Sequence, residues 1–281
     1  PSESPEKDGI WIMDSNGNNK KLLVREGQSL AEVDNSPVHY LHALWSPDGE
    51  EILFLAYGST MNEHALGDAH SQIWIMNKDG KNPVWLSDFE GKYIENPQFN
   101  PHGDKISFEL YPNGEVGTGY AEYEADRPPF DLWVMNTHGE EPPKSLVKCQ
   151  SPEEFNCGIV KTVYKSSWSP DGKHIVFTSK DSMWIVDSNG ANLKKLIDGN
   201  QSVDGVIPQY IDNPIWNPNS REIAFNDARG NLWIIDSDGT NAIKIAGNAI
   251  LYPNIYNPNI FAWSPDGTKI IFAENVLIFM N

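Results

Sequence analysis

The sequence predicts an all-β fold assembled from a repeated strand–turn–strand unit. Three observations predict it: two short aromatic motifs that alternate along the chain, a tight-turn signature after each, and a composition rich in turn formers. Ten Trp and twenty Pro among 281 residues favour strands and turns over helices. Long Ala/Leu/Glu/Lys helical stretches are missing. Length alone leaves room for one large all-β domain or two small ones.

The first motif occurs at Trp45-Ser46-Pro47-Asp48-Gly49, Phe99-Asn100-Pro101-His102-Gly103, Trp168-Ser169-Pro170-Asp171-Gly172, Trp216-Asn217-Pro218-Asn219-Ser220 and Trp263-Ser264-Pro265-Asp266-Gly267. At a constant offset downstream of each leading aromatic stands a Phe: Phe54, Phe108, Phe177, Phe225 and Phe272. Pro sets φ for the turn, Asp or Asn accepts a local backbone bond, and Gly tolerates positive φ. The segments EILFLA, KISFEL, HIVFTS, EIAFND and KIIFAE then supply the β-branched and aromatic residues of a half-buried strand.

The second motif alternates with the first: Ile10-Trp11-Ile12-Met13-Asp14, Ile73-Trp74-Ile75-Met76-Asn77, Leu132-Trp133-Val134-Met135-Asn136, Met183-Trp184-Ile185-Val186-Asp187 and Leu232-Trp233-Ile234-Ile235-Asp236. Leu277-Ile278-Phe279-Met280-Asn281 is a further copy at the end of the sequence. SNG, KDG, THG, SNG and SDG follow the first five copies as hairpin turns. Every tryptophan but Trp85 falls in one of the two motifs, so these rings are expected to fill the wedges between adjacent sheets.

These residues resemble the repeat of the TolB-like, WD40-like (PD40) propeller family, whose pattern is roughly WSPDG-x-x-I-x-F followed by I-W-x-M-D-x-D-G. The resemblance covers nearly the whole chain. It implies a β-propeller of four-stranded antiparallel blades, with strands A to D running outward from the axis. It leaves function open, because such propellers serve as partner-binding proteins, peptidase gates and occasionally lyases. The strand tally implies five blades, the last made from A and B strands of residues 259–274 plus strands from both termini, which removes a free sheet edge. A six-bladed TolB-like ring is the rival count. Residues 1–8 read as an N-terminal linker and 9–281 as a single propeller domain.

A net charge of −18 repels phosphate backbones and anionic membranes, which argues against nucleic-acid binding. No apolar run reaches the length of a membrane span. Cys149 and Cys157 sit close together in an irregular segment and are expected to form a disulfide; no Cys or His lies nearby to complete a zinc site. With the polar, Pro-containing start PSESPEKDG, they point to an extracytoplasmic chain, either periplasmic, secreted or at the cell surface.

Alternating strand direction puts the A–B and C–D turns on one face and the B–C and D–A connections on the other. The second face holds every long segment, 24–40, 57–72, 111–131, 147–163, 197–211 and 247–258, and elaborated loops on a repeat scaffold are where binding usually lies. Residues just before the A-strand aromatics are expected around that mouth of the channel: Tyr40 and His42, Tyr93 and Glu95, Tyr164 and Lys165, Tyr210 and Asp212, Tyr256 and Asn257. Such a set holds a peptide, a sugar or a partner's side chain, or else its tyrosines pack blade tops. Four histidines on the same face, His39, His42, His64 and His70, have the chemistry of a transition-metal site, against solvated loop histidines as the plainer reading. The turns Asp14 to Asn18, Asp187 to Asn192 and Asp236 to Asn241 invite a calcium reading, but hairpin geometry accounts for their residues. Catalysis finds little support: no G-x-S-x-G elbow, no H-E-x-x-H and no phosphate-binding Gly-rich loop occurs. The expected function is non-catalytic binding of a protein or cell-envelope ligand, with no cofactor; a metal-assisted, lyase-like polysaccharide enzyme is the alternative.

Overall fold

The structure, a computed structural model, describes residues 9–25, 30, 38–58, 70–87, 89, 92–111, 131–139, 141–148, 164–179, 182–201, 203, 208, 211–227, 229–247 and 261–272. The described residues are all-β. A two-stranded sheet, β1 (Gly9–Ile12) and β2 (Lys21–Arg25), is followed by four sheets of four strands. These are β3 (Val38–Trp45), β4 (Glu51–Gly58), β5 (His70–Asn77) and β6 (Val84–Trp85); then β7 (Tyr93–Phe99), β8 (Lys105–Tyr111), β9 (Asp131–Asn136) and β10 (Lys144–Val147). Next come β11 (Tyr164–Trp168), β12 (His174–Ser179), β13 (Ser182–Asp187) and β14 (Lys194–Asp198), then β15 (Asp212–Trp216), β16 (Glu222–Asn226), β17 (Leu232–Asp236) and β18 (Ile243–Ala246). A two-stranded sheet, β19 (Phe261–Trp263) and β20 (Ile270–Phe272), follows.

Within each four-stranded sheet the strands lie in chain order, so hairpin turns suffice to make it. The two-stranded sheets are a C–D pair and an A–B pair by motif. The chain divides into two compact units, residues 1–145 and 146–281, with the boundary inside β10. Among the described residues no helix is long and apolar enough to cross a membrane.

In the four-stranded sheets the B strands are not half-buried as expected: both faces of the sheet are covered there, while in β20 Ile271 and Phe272 are exposed. In the first unit Ile52, Phe54 and Ala56 pack with Ile10, Val24 and Met76, while Leu53 and Leu55 pack with Ile94, Ile106 and Phe108. The period-two alternation of a strand thus feeds two separate cores. In the second unit Ile223 and Phe225 join Val176, Met183 and Trp233, while Ala224 joins Leu232 and Phe261. Each wholly buried Phe or Leu here contributes roughly 1.5–3 kcal/mol relative to exposure.

The two repeated aromatics meet across the ladder. Phe54 pairs with Trp74, Phe108 with Trp133, Phe177 with Trp184 and Phe225 with Trp233. Phe225 and Trp233 lie nearly parallel, their ring centres 6.2 Å apart. Trp85, the tryptophan outside the motifs, extends one such stack by lying 6.5 Å from Trp74. Trp11 and Trp45 depart from the packing expected of motif tryptophans, being 38% and 51% exposed; Lys20 lies over the Trp11 ring.

The turn ends of the sheets interlock. Ser46 Oγ donates to Asp48 Oδ1 at 2.6 Å while accepting from the Glu51 N–H, and Ser169–Asp171 and Ser264–Asp266 repeat this arrangement. Neighbouring sheets then grip one another through their turns. Lys21 Nζ donates to the Asp79 carbonyl, Lys194 Nζ to the Asp238 carbonyl and Asn217 Nδ2 to the Gly267 carbonyl. Gly239, at φ 87°, abuts β14 so closely that an added Cβ would lie 2.9 Å from the Leu196 carbonyl oxygen.

Candidate functional site at the inner strands

The A strands β3, β7, β11 and β15 are each an edge of their sheet. They are also where neighbouring sheets come close: β3 approaches β7, and β11 approaches β15. The A strands are therefore the inner ones, as the repeat implied.

Each of these four strands loses register at the same place. The break falls between Leu41 and Leu44, Glu95 and Gln98, Tyr164 and Ser167, and Asp212 and Ile215. At each break stands a residue other than glycine with positive φ: His42 at 56°, Asn96 at 51°, Lys165 at 37° and Asn213 at 55°. Each precedes the motif aromatic by the same interval. Asn tolerates this region, but a longer side chain there meets the following carbonyl at a cost of roughly 1–2 kcal/mol. Asn96 and Asn213 also precede Pro97 and Pro214, both buried, and proline narrows the choices of the residue before it. A proline inside a strand is tolerated where it stands on an edge or at a bulge, and these stand on both. Bulges re-aim side chains and gather beside functional sites.

The expected mouth residues divide. In the first unit His42 is exposed, and Glu95 is half-buried opposite Glu109 on β8. Glu109 is itself buried and accepts from Asn96 Nδ2 at 2.9 Å. Tyr40 is buried, its ring edge against Phe54 at 5.8 Å, and burial pushes its hydroxyl up to about 12; it packs the blade. In the second unit the structure joins two expected residues: Lys165 Nζ donates to Asp212 Oδ2 at 2.7 Å across adjacent inner strands. Tyr93 and Tyr164 begin β7 and β11, but their side chains, and all of Tyr210, Tyr256 and Asn257, lie outside the described residues.

Of the metal-site histidines, the backbone places two near one another. His39 pairs with Tyr57, and the next residue of β4, Gly58, pairs with His70, so His39 and His70 flank β4 at the loop end of one sheet. Their side chains, and the whole of His64, lie outside the described residues, as do Cys149, Cys157 and the segment 112–130. The supposed calcium turns are held by their own side chains. Asn19, Asn192 and Asn241, each at φ 54°, donate Nδ2 to Asp14, Asp187 and Asp236 at 2.6–2.7 Å.

Sequence reasoning missed Asn96, Asn213, Glu109 and Asp227. Asp227 is fully buried between β16 and β17, accepting from the Arg229 and Asn231 N–H groups, Asn231 Nδ2 and the Trp233 indole. A signal for the first two was present: ENPQF and DNPIW place the same Asn-Pro pair before the motif aromatic in two repeats.

No family model matches the chain, and no curated protein matches it. Solved structures do. An oligogalacturonate lyase in complex with manganese aligns over 95% of this chain and 68% of its own, with a TM-score of 0.63 and 12% identity. An oligogalacturonate lyase from Vibrio parahaemolyticus aligns equally far at 10% identity and a TM-score of 0.63. A puromycin hydrolase aligns over 83% of this chain but 34% of its own, at 16% identity and a TM-score of 0.56. At these identities the likeness concerns fold: together with its repeated four-stranded antiparallel sheets, it shows that this chain is a β-propeller.

Proposed function

We propose that this chain is a binding propeller of the TolB-like (PD40) kind, acting outside the cytoplasm, whose loop-bearing face recognises a protein or cell-envelope ligand. One observation carries the reading. All four complete sheets place a non-glycine residue with a polar side chain at positive φ in the inner strand, next to the loop end. A fold that needed only the bulge would be served by glycine, which carries no Cβ penalty. Strain kept together with a polar side chain is the pattern of a recognition site. The turn ends support the same choice of face, since their polar groups are engaged with one another and with neighbouring sheets.

The test is an affinity panel against the partner recovered from the native envelope fraction. Glu95→Ala and Asp212→Ala are expected to weaken binding about tenfold, or ~1.4 kcal/mol, with little change in melting temperature. Asp171→Ala and Asp238→Ala, on the turn ends, are expected to leave affinity intact. Salt is expected to weaken the Glu95 contribution more than that of Asp212, whose charge Lys165 already balances. Loss of affinity in the turn pair alone assigns recognition to the wrong face.

A second reading, a metal-assisted enzyme acting on polysaccharide, rests on His39 and His70 flanking one strand at the loop end and on the manganese-bound lyase among the structural relatives. Elemental analysis of the purified protein separates the two. Stoichiometric manganese, zinc or nickel favours the enzyme; its lack after incubation with each ion favours the binding protein.

A further inference from the structure

We infer that the strained inner-strand position of the second unit binds an uncharged, polyhydroxylated ligand, an oligosaccharide, through Lys165, Asp212 and Asn213. This rests on the loop-face reading above and names its ligand class.

The charge balance of the second unit's site is the first argument. The Lys165 ammonium and Asp212 carboxylate are 2.7 Å apart and 45% and 40% exposed. The pair cancels its net charge yet does not exhaust its hydrogen-bonding capacity. The ammonium has three donors and the carboxylate about four acceptor sites, and their mutual bond uses one of each. Donors and acceptors side by side, without net charge, match hydroxyl groups, which each donate and accept. A phosphate or carboxylate ligand would have to take Lys165 from Asp212, and a cationic ligand would have to take Asp212 from Lys165. Asn213, next along the same strand, adds a planar amide with both kinds of group.

The backbone supplies the second argument, against a peptide. Exposed sheet edges usually capture extended peptides by adding a strand. Here Pro214 carries no N–H, and the register break beside it interrupts the row of backbone groups that an added strand needs. What this edge offers is side chains.

The test uses the full chain on an array of neutral, amino and uronic oligosaccharides, with melting temperatures in parallel. The expected result is binding to neutral oligosaccharides in which the contribution of the Lys165–Asp212 pair is insensitive to salt, the pair carrying no net charge. Asn213→Gly is expected to weaken this binding at least about tenfold while melting at or above the wild-type temperature, because glycine is unstrained at this φ value. Asn213→Asp, which also tolerates the region but has no amide donor, is expected to weaken it too. An Asn213→Gly variant that binds like the wild type would show the position to be a backbone device and overturn the inference. Binding restricted to uronic oligosaccharides and abolished by salt overturns the neutral ligand. Binding to no saccharide overturns the ligand class; the loop-face reading then survives if Glu95→Ala still weakens the envelope partner, and fails if it does not.

Discussion

Trp233→Ala tests whether the repeated tryptophans are structural. Trp233 is 1% exposed, stacks on Phe225 at 6.2 Å and 7° between planes, and donates its indole N–H to Asp227 Oδ2 at 2.9 Å. Deleting the ring loses transfer energy and leaves a cavity, together about 3–5 kcal/mol. Asp227 retains the Arg229 N–H, the Asn231 N–H and Asn231 Nδ2, so the missing donor adds toward the lower end of the usual penalty, about 1 kcal/mol. The sum, about 4–6 kcal/mol, rivals the whole stability of a typical domain. Trp168→Ala, in a site 7% exposed, is expected to cost about 3–5 kcal/mol. Trp45→Ala, half exposed, is the control and is expected to cost under about 1.5 kcal/mol. Guanidinium unfolding followed by far-UV circular dichroism measures all three. A Trp233→Ala loss below about 1 kcal/mol, or a Trp45→Ala loss as large as that of Trp233→Ala, refutes the packing argument. So does a well-folded Trp233→Ala variant that no longer binds.

Three further outcomes are expected. The Ser264 hydroxyl, with the Thr268 N–H and hydroxyl, holds the Asp266 carboxyl at about 2, below its unfolded value of about 3.9; its stabilising effect is full above that value and is lost as pH falls through about 2. Ser264→Ala is expected to return this pKa toward the ordinary range, and an unmoved carboxyl titration by NMR refutes the assignment. Gly239→Ala is expected to cost about 1–3 kcal/mol, more than Gly17→Ala, because both glycines have positive φ but only Gly239 has a neighbouring carbonyl where the Cβ would go; equal melting temperatures refute the interlocked-turn description. A Cys149–Cys157 disulfide is expected in protein from its native compartment; two freely alkylated thiols in intact-mass analysis refute it and count against the extracytoplasmic assignment.

The fold was legible because its determinants are local and repeated. Trp, Pro, Asp and Gly at fixed offsets encode a turn whose hydrogen bonds close within six residues, as Ser264, Asp266 and Lys269 show. The alternating cores were missed although a signal was present: EILFLA has no polar face, and a strand without one must be covered on both sides, not half-buried. Exposed Trp45 and Trp11 were not legible, because exposure depends on what packs against a sheet, and the motif is the same whether that neighbour is close or not. The close approach at Gly239 was hidden for the same reason, since its turn residues also suit a free hairpin.

The candidate site was half legible, and its failure has a backbone cause. Counting from the tyrosines aligned His42 with Glu95 and Asp212, but the structure aligns His42 with Asn96 and Asn213, one residue later. The tyrosine is not at a constant distance from the motif aromatic, whereas the bulge is. Side-chain identity therefore proved a poor ruler where the backbone changes register: a bulge shifts which face each following residue meets, and His42 and Lys165 reach positive φ without the Asn-Pro pair that marks the other two strands. Pairing misled in the same way. Asp212 reads as a free carboxylate awaiting a basic partner until the inner strand of the neighbouring sheet brings Lys165 to it. That contact joins residues 47 apart in sequence, so only the packing of one sheet on the next could reveal it. It converts an acidic lure into a neutral, hydrogen-bonding pair, which is why the ligand argued for these strands is a polyol and not a cation.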